Sequence, residues 1–97
     1  MNWIVDRLSA TDCAQMRDLN ALFADAFEDA ETYAAHPPTD AYLVDVLGKP
    51  DVIALVAQRD GVILGGLVAY VLAKLEQTRR EIYIYDIAVR ADMRRQG

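Results

Sequence analysis

A basic turn that contains a glycine lies at the end of the sequence. It consists of Arg94, Arg95, Gln96 and Gly97, and it follows a strand-like segment from Glu81 to Val89. Backbone N–H groups in such a turn can point at a bound anion, arginines add positive charge, and a following helix offers its positive N-terminal end. The turn therefore predicts a phosphate-binding site. Since Gly97 is the last residue, we expect the 97 residues to carry only part of that site.

Acidic residues concentrate in the other part of the sequence. Residues 1–60 carry eleven acidic and four basic side chains, whereas residues 61–97 carry four and six. Asp25, Glu28, Asp29 and Glu31 form an acidic cluster at a predicted helix end and loop. Such a cluster suits a cationic ligand, and it is equally common in a solvated loop. Nucleic-acid binding is not expected, because the sequence has no broad basic face.

The composition is that of a globular protein from a reducing compartment. Hydrophobic residues make up 54% of the chain and charged residues 26%, which argues against disorder. No apolar run approaches the roughly 20 residues of a membrane helix, and the N-terminus does not resemble a secretory signal. One cysteine, Cys13, cannot form an internal disulfide, and with the single histidine, His36, it cannot build a closed metal site. We expect a cytoplasmic protein with no membrane segment and no metal.

Hydrophobic periodicity predicts an α+β fold whose first part is mainly helical. The expected elements are a strand from Asn2 to Leu8, a helix that runs to about Phe27, an irregular segment from Glu28 to Pro38, and a short helix that includes Tyr42 to Leu47. Ser9 or Thr11 is expected to cap the first helix. Thr39 is expected to cap the second, and Gly48 is well placed to end it.

The second part of the sequence is typical of an antiparallel three-stranded meander. The predicted strands are Val52–Gln58, Val62–Leu75 and Glu81–Val89. Asp60 and Gly61 predict a tight hairpin turn between the first two. Gly65 and Gly66 lie inside the middle strand, where adjacent glycines indicate a bulge or a close backbone approach. The predicted order is β-α-α-β-β-β.

This order of elements, with the basic turn Arg94–Gly97 placed after the strand end Ile87, Ala88 and Val89, resembles the GNAT acetyltransferases. In that superfamily a turn of the form Gln/Arg-x-x-Gly-x-Gly/Ala after the fourth strand grips the pyrophosphate of acetyl-coenzyme A. The resemblance implies that Arg94, Arg95, Gln96 and Gly97 bind this group. It also implies that the backbone of Ile87, Ala88 and Val89 splays at a bulge and binds the acetyl carbonyl and the pantetheine arm.

A more specific similarity is to the aminoglycoside 3-N-acetyltransferases of this superfamily. It rests on residues 69–72, on the strand from Glu81 to Val89, and on the spacing of Glu28, Tyr33 and His36. The resemblance implies acetyl transfer from acetyl-coenzyme A to an amine of a polycationic aminoglycoside, which confers antibiotic resistance. Members of this family continue through a helix and further strands. We therefore expect residues 1–97 to be the N-terminal part of one GNAT domain, which is inactive alone and forms a homodimer or associates with the missing C-terminal half.

The resemblance also implies roles for individual side chains. Substrate binding is expected from Glu28, Asp29, Tyr33 and Tyr83.

Catalysis is expected from Asp86, Tyr85 and Glu81. Acetyl transfer requires a neutral amine, so a nearby group must accept a proton. Asp86 fits this role, although it could instead close a hydrogen bond at the sheet end or pair with an arginine. Glu81, Tyr83 and Tyr85 alternate along the strand and are expected to share one face. A tyrosine there could donate to the departing thiolate or guide the substrate, or the tyrosines could be half-buried packing residues.

Two other functions fit the same sequence. A GNAT enzyme that acetylates a polyamine or a protein amine would also use the acidic region around Glu28. A non-catalytic dimerising or binding module that retained half of the fold is the alternative outside enzymes. The uninterrupted strand from Glu81 to Val89 favours the enzyme, whereas the end of the sequence at Gly97 favours the binding module.

Overall fold

Four antiparallel strands pair in the order of the sequence, and the helices pack on one face of the resulting sheet. The computed structural model describes residues 3–93. The strands are β1 (Ile4–Arg7), β2 (Val52–Arg59), β3 (Val62–Ala73) and β4 (Arg80–Val89). The predicted α+β fold with its antiparallel meander is confirmed, and each of the last three strands ends within two residues of its expected position.

Three α-helices and one short 3-10 turn complete the described chain. They are α1 (Cys13–Ala26), α2 (Ala30–Tyr33), α3 (Asp40–Leu47) and the 3-10 turn Ala91–Met93. The helix α2 lies within the segment that was expected to be irregular, so that expectation was wrong. Its N-cap is Asp29, whose carboxylate accepts a hydrogen bond from the Thr32 N–H at 3.1 Å. A cap of this kind stabilises a single helical turn that has no apolar periodicity of its own.

The helix caps agree with the sequence at α3 and differ at α1. Thr39 Oγ1 accepts a hydrogen bond from the Tyr42 N–H at 3.2 Å, and Gly48 follows the last turn, both as predicted. The prediction for α1 was wrong, because its N-cap is Asp12. The Asp12 carboxylate turns back and accepts a hydrogen bond from the Ser9 N–H at 2.8 Å instead of bonding to the first turn of its own helix.

The hydrophobic core lies between α1, α3 and one face of the sheet. Its largest fully buried side chains are Leu19 and Phe23 from α1 and Val56 from β2. Gly66 brings β3 unusually near the helix, since a Cβ atom there would lie 2.6 Å from Leu19 Cδ1 and 2.5 Å from the Leu55 carbonyl oxygen. The close backbone approach predicted from the glycine pair is therefore confirmed.

The hairpin between β2 and β3 also follows its sequence signal. Asp60 and Gly61 have φ angles of 54° and 79° and join Arg59 to Val62, which pair with each other. Two central residues with positive φ define the turn that suits the twist of a hairpin. Further along this ladder, Leu64 is an extra residue, because Ile63 lies opposite Gln58 and Gly65 lies opposite Ala57. The predicted bulge is thus also present, adjacent to Gly65.

The second face of the sheet carries exposed apolar side chains on β4. Ile82, Ile84 and Ile87 are 67%, 53% and 61% exposed. Along β4 they alternate with the residues that face α1, except at Tyr85, where the strand has one extra residue. None of the helices within residues 3–93 is long and apolar enough to cross a membrane.

Candidate active site

A hydrogen bond joins the predicted catalytic carboxylate to the loop that follows α1. The Tyr33 hydroxyl, at the end of α2, donates to Asp86 Oδ1 on β4 at 2.6 Å. Among the described residues, Asp86 Oδ2 accepts no hydrogen bond, and the side chain is half-buried. One carboxylate oxygen is therefore held by the protein while the other is left for a ligand.

The Tyr33 ring is fixed by aromatic packing. Its centroid lies 5.7 Å from that of Phe23 and 5.5 Å from that of Phe27, and the two phenylalanine rings stack on each other at 5.5 Å. The chain reverses between α1 and α2 at Glu28, which has a φ of 51°. This left-handed conformation is uncommon for a residue with a side chain. Because of this turn, α2 begins at Ala30, two residues after Glu28, and Tyr33 at its end contacts the sheet at Asp86.

A bulge in β4 places Asp86 on the helix side of the sheet. Ile84 pairs with Ala69 and Asp86 pairs with Val68, so Tyr85 is an extra residue between them. Such an insertion interrupts the regular alternation of faces. If Tyr85 paired in regular register, Asp86 would point away from Tyr83; because Tyr85 is bulged, both residues lie on the side of the sheet that α1 covers.

Three tyrosine rings pack together on the same side of the sheet as Asp86. The ring of Tyr85 meets Tyr70 edge to face with centroids 5.9 Å apart, and it lies 6.3 Å from Tyr83. Tyr83 and Tyr85 are 56% and 66% exposed, so a ligand can reach them. The sequence reasoning did not single out Tyr70. Its position opposite Tyr83 in the β3–β4 register is the signal that could have identified it.

Two tyrosines that interact with Asp86, Tyr33 and Tyr70, have raised pKa values. Burial, followed by the hydrogen bond and the negative charge of Asp86, raises the pKa of Tyr33 to about 12. Burial and the charge of Asp86 also raise the pKa of Tyr70. Both hydroxyls are therefore protonated at neutral pH, and that of Tyr33 donates its proton to the hydrogen bond with Asp86.

Glu81 lies apart from this cluster. It is the second residue of β4, opposite Leu72, and its carboxylate forms ion pairs with Arg79 at 2.7 Å and with Lys74 at 4.0 Å. Four residues lie between it and Asp86, and β3 covers the same span in four steps, so the two are roughly 13 Å apart. The structure thus brings Asp86 and Tyr85 together and does not bring Glu81 to them.

The predicted substrate-binding acids border the site from the acceptor loop, by which we mean residues 28–38. Glu28 is exposed at its turn, and the Asp29 carboxylate caps α2 while its charge acts on Tyr33. His36 pairs with Glu31 at 3.4 Å on the exposed side of the same loop. A cationic ligand that approaches Asp86 over this loop therefore meets several negative charges.

The residues assigned to acetyl-coenzyme A are only partly described. Ile87, Ala88 and Val89 pair in regular register with residues 67, 66 and 65 of β3, so the bulge that was expected among them is wrong. The irregularity falls earlier, at Tyr85. The three residues line a shallow apolar depression of about 180 Å³, which suits the hydrocarbon part of an extended ligand. Arg94, Arg95, Gln96 and Gly97 lie outside the described residues.

No cluster of three or more His, Cys, Asp or Glu side chains that could hold a metal ion occurs within residues 3–93. The chemistry open to the described side chains is hydrogen bonding and proton transfer at Asp86 and the tyrosines around it.

The acetyltransferase (GNAT) family model matches residues 16–97, which is most of the chain. The chain belongs to the GNAT acetyltransferase family. The match includes most of α1, the acceptor loop and the whole sheet apart from β1. A search of curated proteins found no significant match.

Solved structures include close relatives of this GNAT chain. An aminoglycoside acetyltransferase, HMB0005, from an uncultured soil metagenomic sample is 47% identical over 100% of this chain, with a TM-score of 0.95. The aminoglycoside acetyltransferase meta-AAC0020, also from an uncultured soil metagenomic sample and solved with sisomicin, is 30% identical over 98% of the chain, with a TM-score of 0.87. A ribosomal-protein-alanine N-acetyltransferase from Brucella melitensis biovar Abortus 2308 is 26% identical over 100% of the chain, with a TM-score of 0.76.

The GNAT chain is shorter than these relatives. It spans 64% of the HMB0005 chain, 60% of the meta-AAC0020 chain and 64% of the Brucella chain. The matched part holds Asp86, its tyrosines and the acceptor loop.

Proposed function

We propose that this chain provides the acceptor side of an aminoglycoside N-acetyltransferase that uses acetyl-coenzyme A. The observation that carries the proposal is the Asp86 carboxylate, which has one oxygen held by Tyr33 and the other open beside exposed tyrosines. The family match and the likeness to two aminoglycoside acetyltransferases support it. The acidic acceptor loop fits a polycationic substrate.

The proposed reaction is direct transfer without a covalent enzyme intermediate. The amine nitrogen attacks the thioester carbonyl carbon, and the carbonyl π electrons move to oxygen. The tetrahedral species then collapses, which keeps the new C–N bond and breaks the C–S bond. Asp86 takes the proton that the amine loses, and the coenzyme A thiolate takes a proton from Tyr85 or water. General base catalysis of this kind contributes roughly 10²–10⁴-fold to a rate.

Acetyl-coenzyme A would bind along the end of β4. We assign its pantetheine arm to the backbone of Ile87, Ala88 and Val89, and its pyrophosphate to Arg94, Arg95, Gln96 and Gly97. Arginine and backbone N–H groups are strong donors to phosphate oxygens. This part of the proposal rests on the sequence resemblance and on the apolar depression beside β4.

The finer assignment is the 3-amino group of an aminoglycoside, modified in the cytoplasm. Acetylation there converts a positively charged amine into a neutral amide, which weakens binding to an anionic target and confers resistance. We also propose that the exposed side chains of Ile82, Ile84 and Ile87 are covered in the active protein. A homodimer would cover them, as would a segment equivalent to the unmatched part of the HMB0005 chain.

A substrate panel tests the proposed function. The full-length protein is incubated with acetyl-coenzyme A and, separately, with sisomicin, spermidine and a peptide that begins with alanine. Coenzyme A release gives the rate, and mass spectrometry with NMR identifies the acetylated nitrogen. We expect a kcat/KM for sisomicin at least 100-fold above the other two, with one acetyl group on the 3-amino nitrogen. Preference for spermidine or the peptide would contradict the aminoglycoside assignment, and no turnover of any amine would favour the binding module.

A further inference from the structure

Asp86 is oriented by a residue 53 positions earlier in the chain. The Tyr33 hydroxyl donates to Oδ1 at 2.6 Å, and no other described side chain bonds to the carboxylate. An aspartate side chain on a strand can rotate about two bonds, and without a partner it would sample several orientations. The hydrogen bond selects one of them, in which Oδ2 is open.

Tyr33 is itself held rigidly enough to set that orientation. Its ring packs against Phe23 on α1 and against Phe27, the C-cap of that helix, and Asp29 caps the N-terminus of α2. Phe23 is fully buried. The hydroxyl therefore has a fixed position relative to the core, whereas most loop side chains do not.

The Tyr33 hydroxyl keeps its proton at neutral pH and can therefore donate it to a hydrogen bond with Asp86. The groups that act electrostatically on Tyr33 are Asp86, Asp29 and Tyr85, and together with burial they raise its pKa to about 12. Tyr70 faces Asp86 from β3 and is likewise protonated at neutral pH. Asp86 is the carboxylate that contacts Tyr33 directly, whereas the carboxylate of Asp29 caps α2, so we assign proton acceptance to Asp86.

We propose that Tyr33 is a positioning residue, which fixes the Asp86 carboxylate so that Oδ2 faces the acceptor amine. The sequence resemblance predicts that Tyr33 binds substrate, whereas the role proposed here acts through Asp86. The proposal rests on the proposed function of Asp86 in proton removal. It makes the acceptor loop part of the catalytic geometry as well as part of the binding surface.

A double-mutant cycle tests this role. Tyr33→Phe keeps the ring that packs on Phe23 and Phe27 and removes only the hydroxyl. In the full-length enzyme we expect it to lower kcat about 10- to 100-fold, since a misplaced catalytic group costs up to about 100-fold, and to leave KM for acetyl-coenzyme A unchanged. In an Asp86→Asn background we expect Tyr33→Phe to have no further effect on kcat, because groups that act as a unit are not additive.

Each alternative gives a different result in this cycle. A Tyr33→Phe enzyme with normal kcat, or one whose effect multiplies with that of Asp86→Asn, would overturn the positioning role. A normal kcat in Asp86→Asn alone would instead overturn the proposed function.

Tyr42→Phe removes an exposed hydroxyl from α3 and is the matched control, expected to keep its kcat. If Tyr33→Phe does not fold, Tyr33→Met gives the same comparison without a donor. Thermal unfolding of each variant separates a structural loss from a catalytic one.

Discussion

Tyr83 and Asp86 lie on the same face of β4 although three positions separate them along the strand. Regular alternation would place residues an odd number of positions apart on opposite faces. The extra residue, Tyr85, shifts the register between Val68 and Ala69 and cancels one alternation. The carboxylate thereby joins the tyrosine rings and comes within hydrogen-bond distance of Tyr33.

Deletion of Tyr85 should close this bulge while Asp86 keeps its place opposite Val68. Ile84 and Asp86 would then follow the regular register, so we expect a folded protein that retains the Tyr33–Asp86 hydrogen bond. We expect kcat to fall at least about 10-fold, because bulges aim side chains and backbone groups at active sites. Steady-state kinetics and circular dichroism of the full-length enzyme measure both effects.

Tyr85→Phe is the companion variant, since it keeps the bulge and the ring. An equal loss in both variants would assign the effect to the hydroxyl, and a loss only in the deletion would assign it to the ring or to the bulged backbone. A deletion variant that is folded and fully active would show that the bulge has no catalytic role.

Gly66→Ala should destabilise the fold. The new Cβ would lie 2.5 Å from the Leu55 carbonyl oxygen and 2.6 Å from Leu19 Cδ1, so α1 or β3 must shift. Overpacking of a core in this way costs about 1–3 kcal/mol of unfolding free energy. Urea unfolding checks the prediction. Gly48→Ala is the control, because its φ of −79° accommodates alanine and its nearest contact is 3.3 Å. Equal stability of Gly66→Ala and Gly48→Ala would refute the close approach.

Most of the fold could be predicted because its signals are local. The Asp60-Gly61 turn, the Thr39 cap and the strand periodicity each involve neighbouring residues. The helix α2 was missed because one turn has no periodicity, and its stability comes from the Asp29 cap and tertiary packing. Asp12 was missed at α1 because several adjacent residues there can cap a helix.

The site was predictable as a set of residues but not as an arrangement. Asp86, Tyr85 and Tyr33 were each singled out from the sequence, yet the contact between Tyr33 and Asp86 depends on packing between distant elements. Glu81 was grouped with the tyrosines by alternation alone. Its ion pairs with Arg79 and Lys74 occupy its carboxylate at the far end of β4. A bulge depends on how two strands pair with each other, so the sequence of one strand alone does not reveal where the bulge lies.

Glu28 allows the strain of the acceptor-loop turn to be separated from its charge. Its φ of 51° is costly for glutamate and free for glycine. Glu28→Gly should therefore raise the unfolding free energy by about 0.5–1 kcal/mol, whereas Glu28→Gln should leave it unchanged. If the carboxylate attracts a polycationic amine, both variants should raise KM for the amine by a similar factor. A rise in KM for Glu28→Gly alone would show that turn geometry, and not charge, matters for binding.

Tyr33 should make the protein less stable at alkaline pH. Its pKa is about 12 in the folded protein against 10.0 for an ordinary tyrosine. Below the lower value both the folded and the unfolded chain hold the proton, so the contribution to stability is complete. As pH rises between the two values the unfolded chain releases the proton first, and the contribution is progressively lost.

Urea unfolding from neutral pH to about pH 11 measures this decline. The unfolding free energy of Tyr33→Phe should fall less steeply with pH than that of the wild type. The decline that remains in this variant includes the contribution of Tyr70, whose pKa is also raised. If the unfolding free energies of the two proteins fell equally with pH, the pKa of Tyr33 would not be raised in the folded protein.

The central claim is that Asp86 accepts the proton of the acceptor amine, and the kinetics of Asp86→Asn test it most directly. Asparagine keeps the shape and can still accept the Tyr33 hydrogen bond, but it cannot take a proton. In the full-length enzyme with acetyl-coenzyme A and sisomicin, we expect kcat to fall roughly 10²–10⁴-fold with KM for acetyl-coenzyme A and the melting temperature nearly unchanged. A near-normal kcat together with a lowered melting temperature would contradict the account and make Asp86 a structural residue.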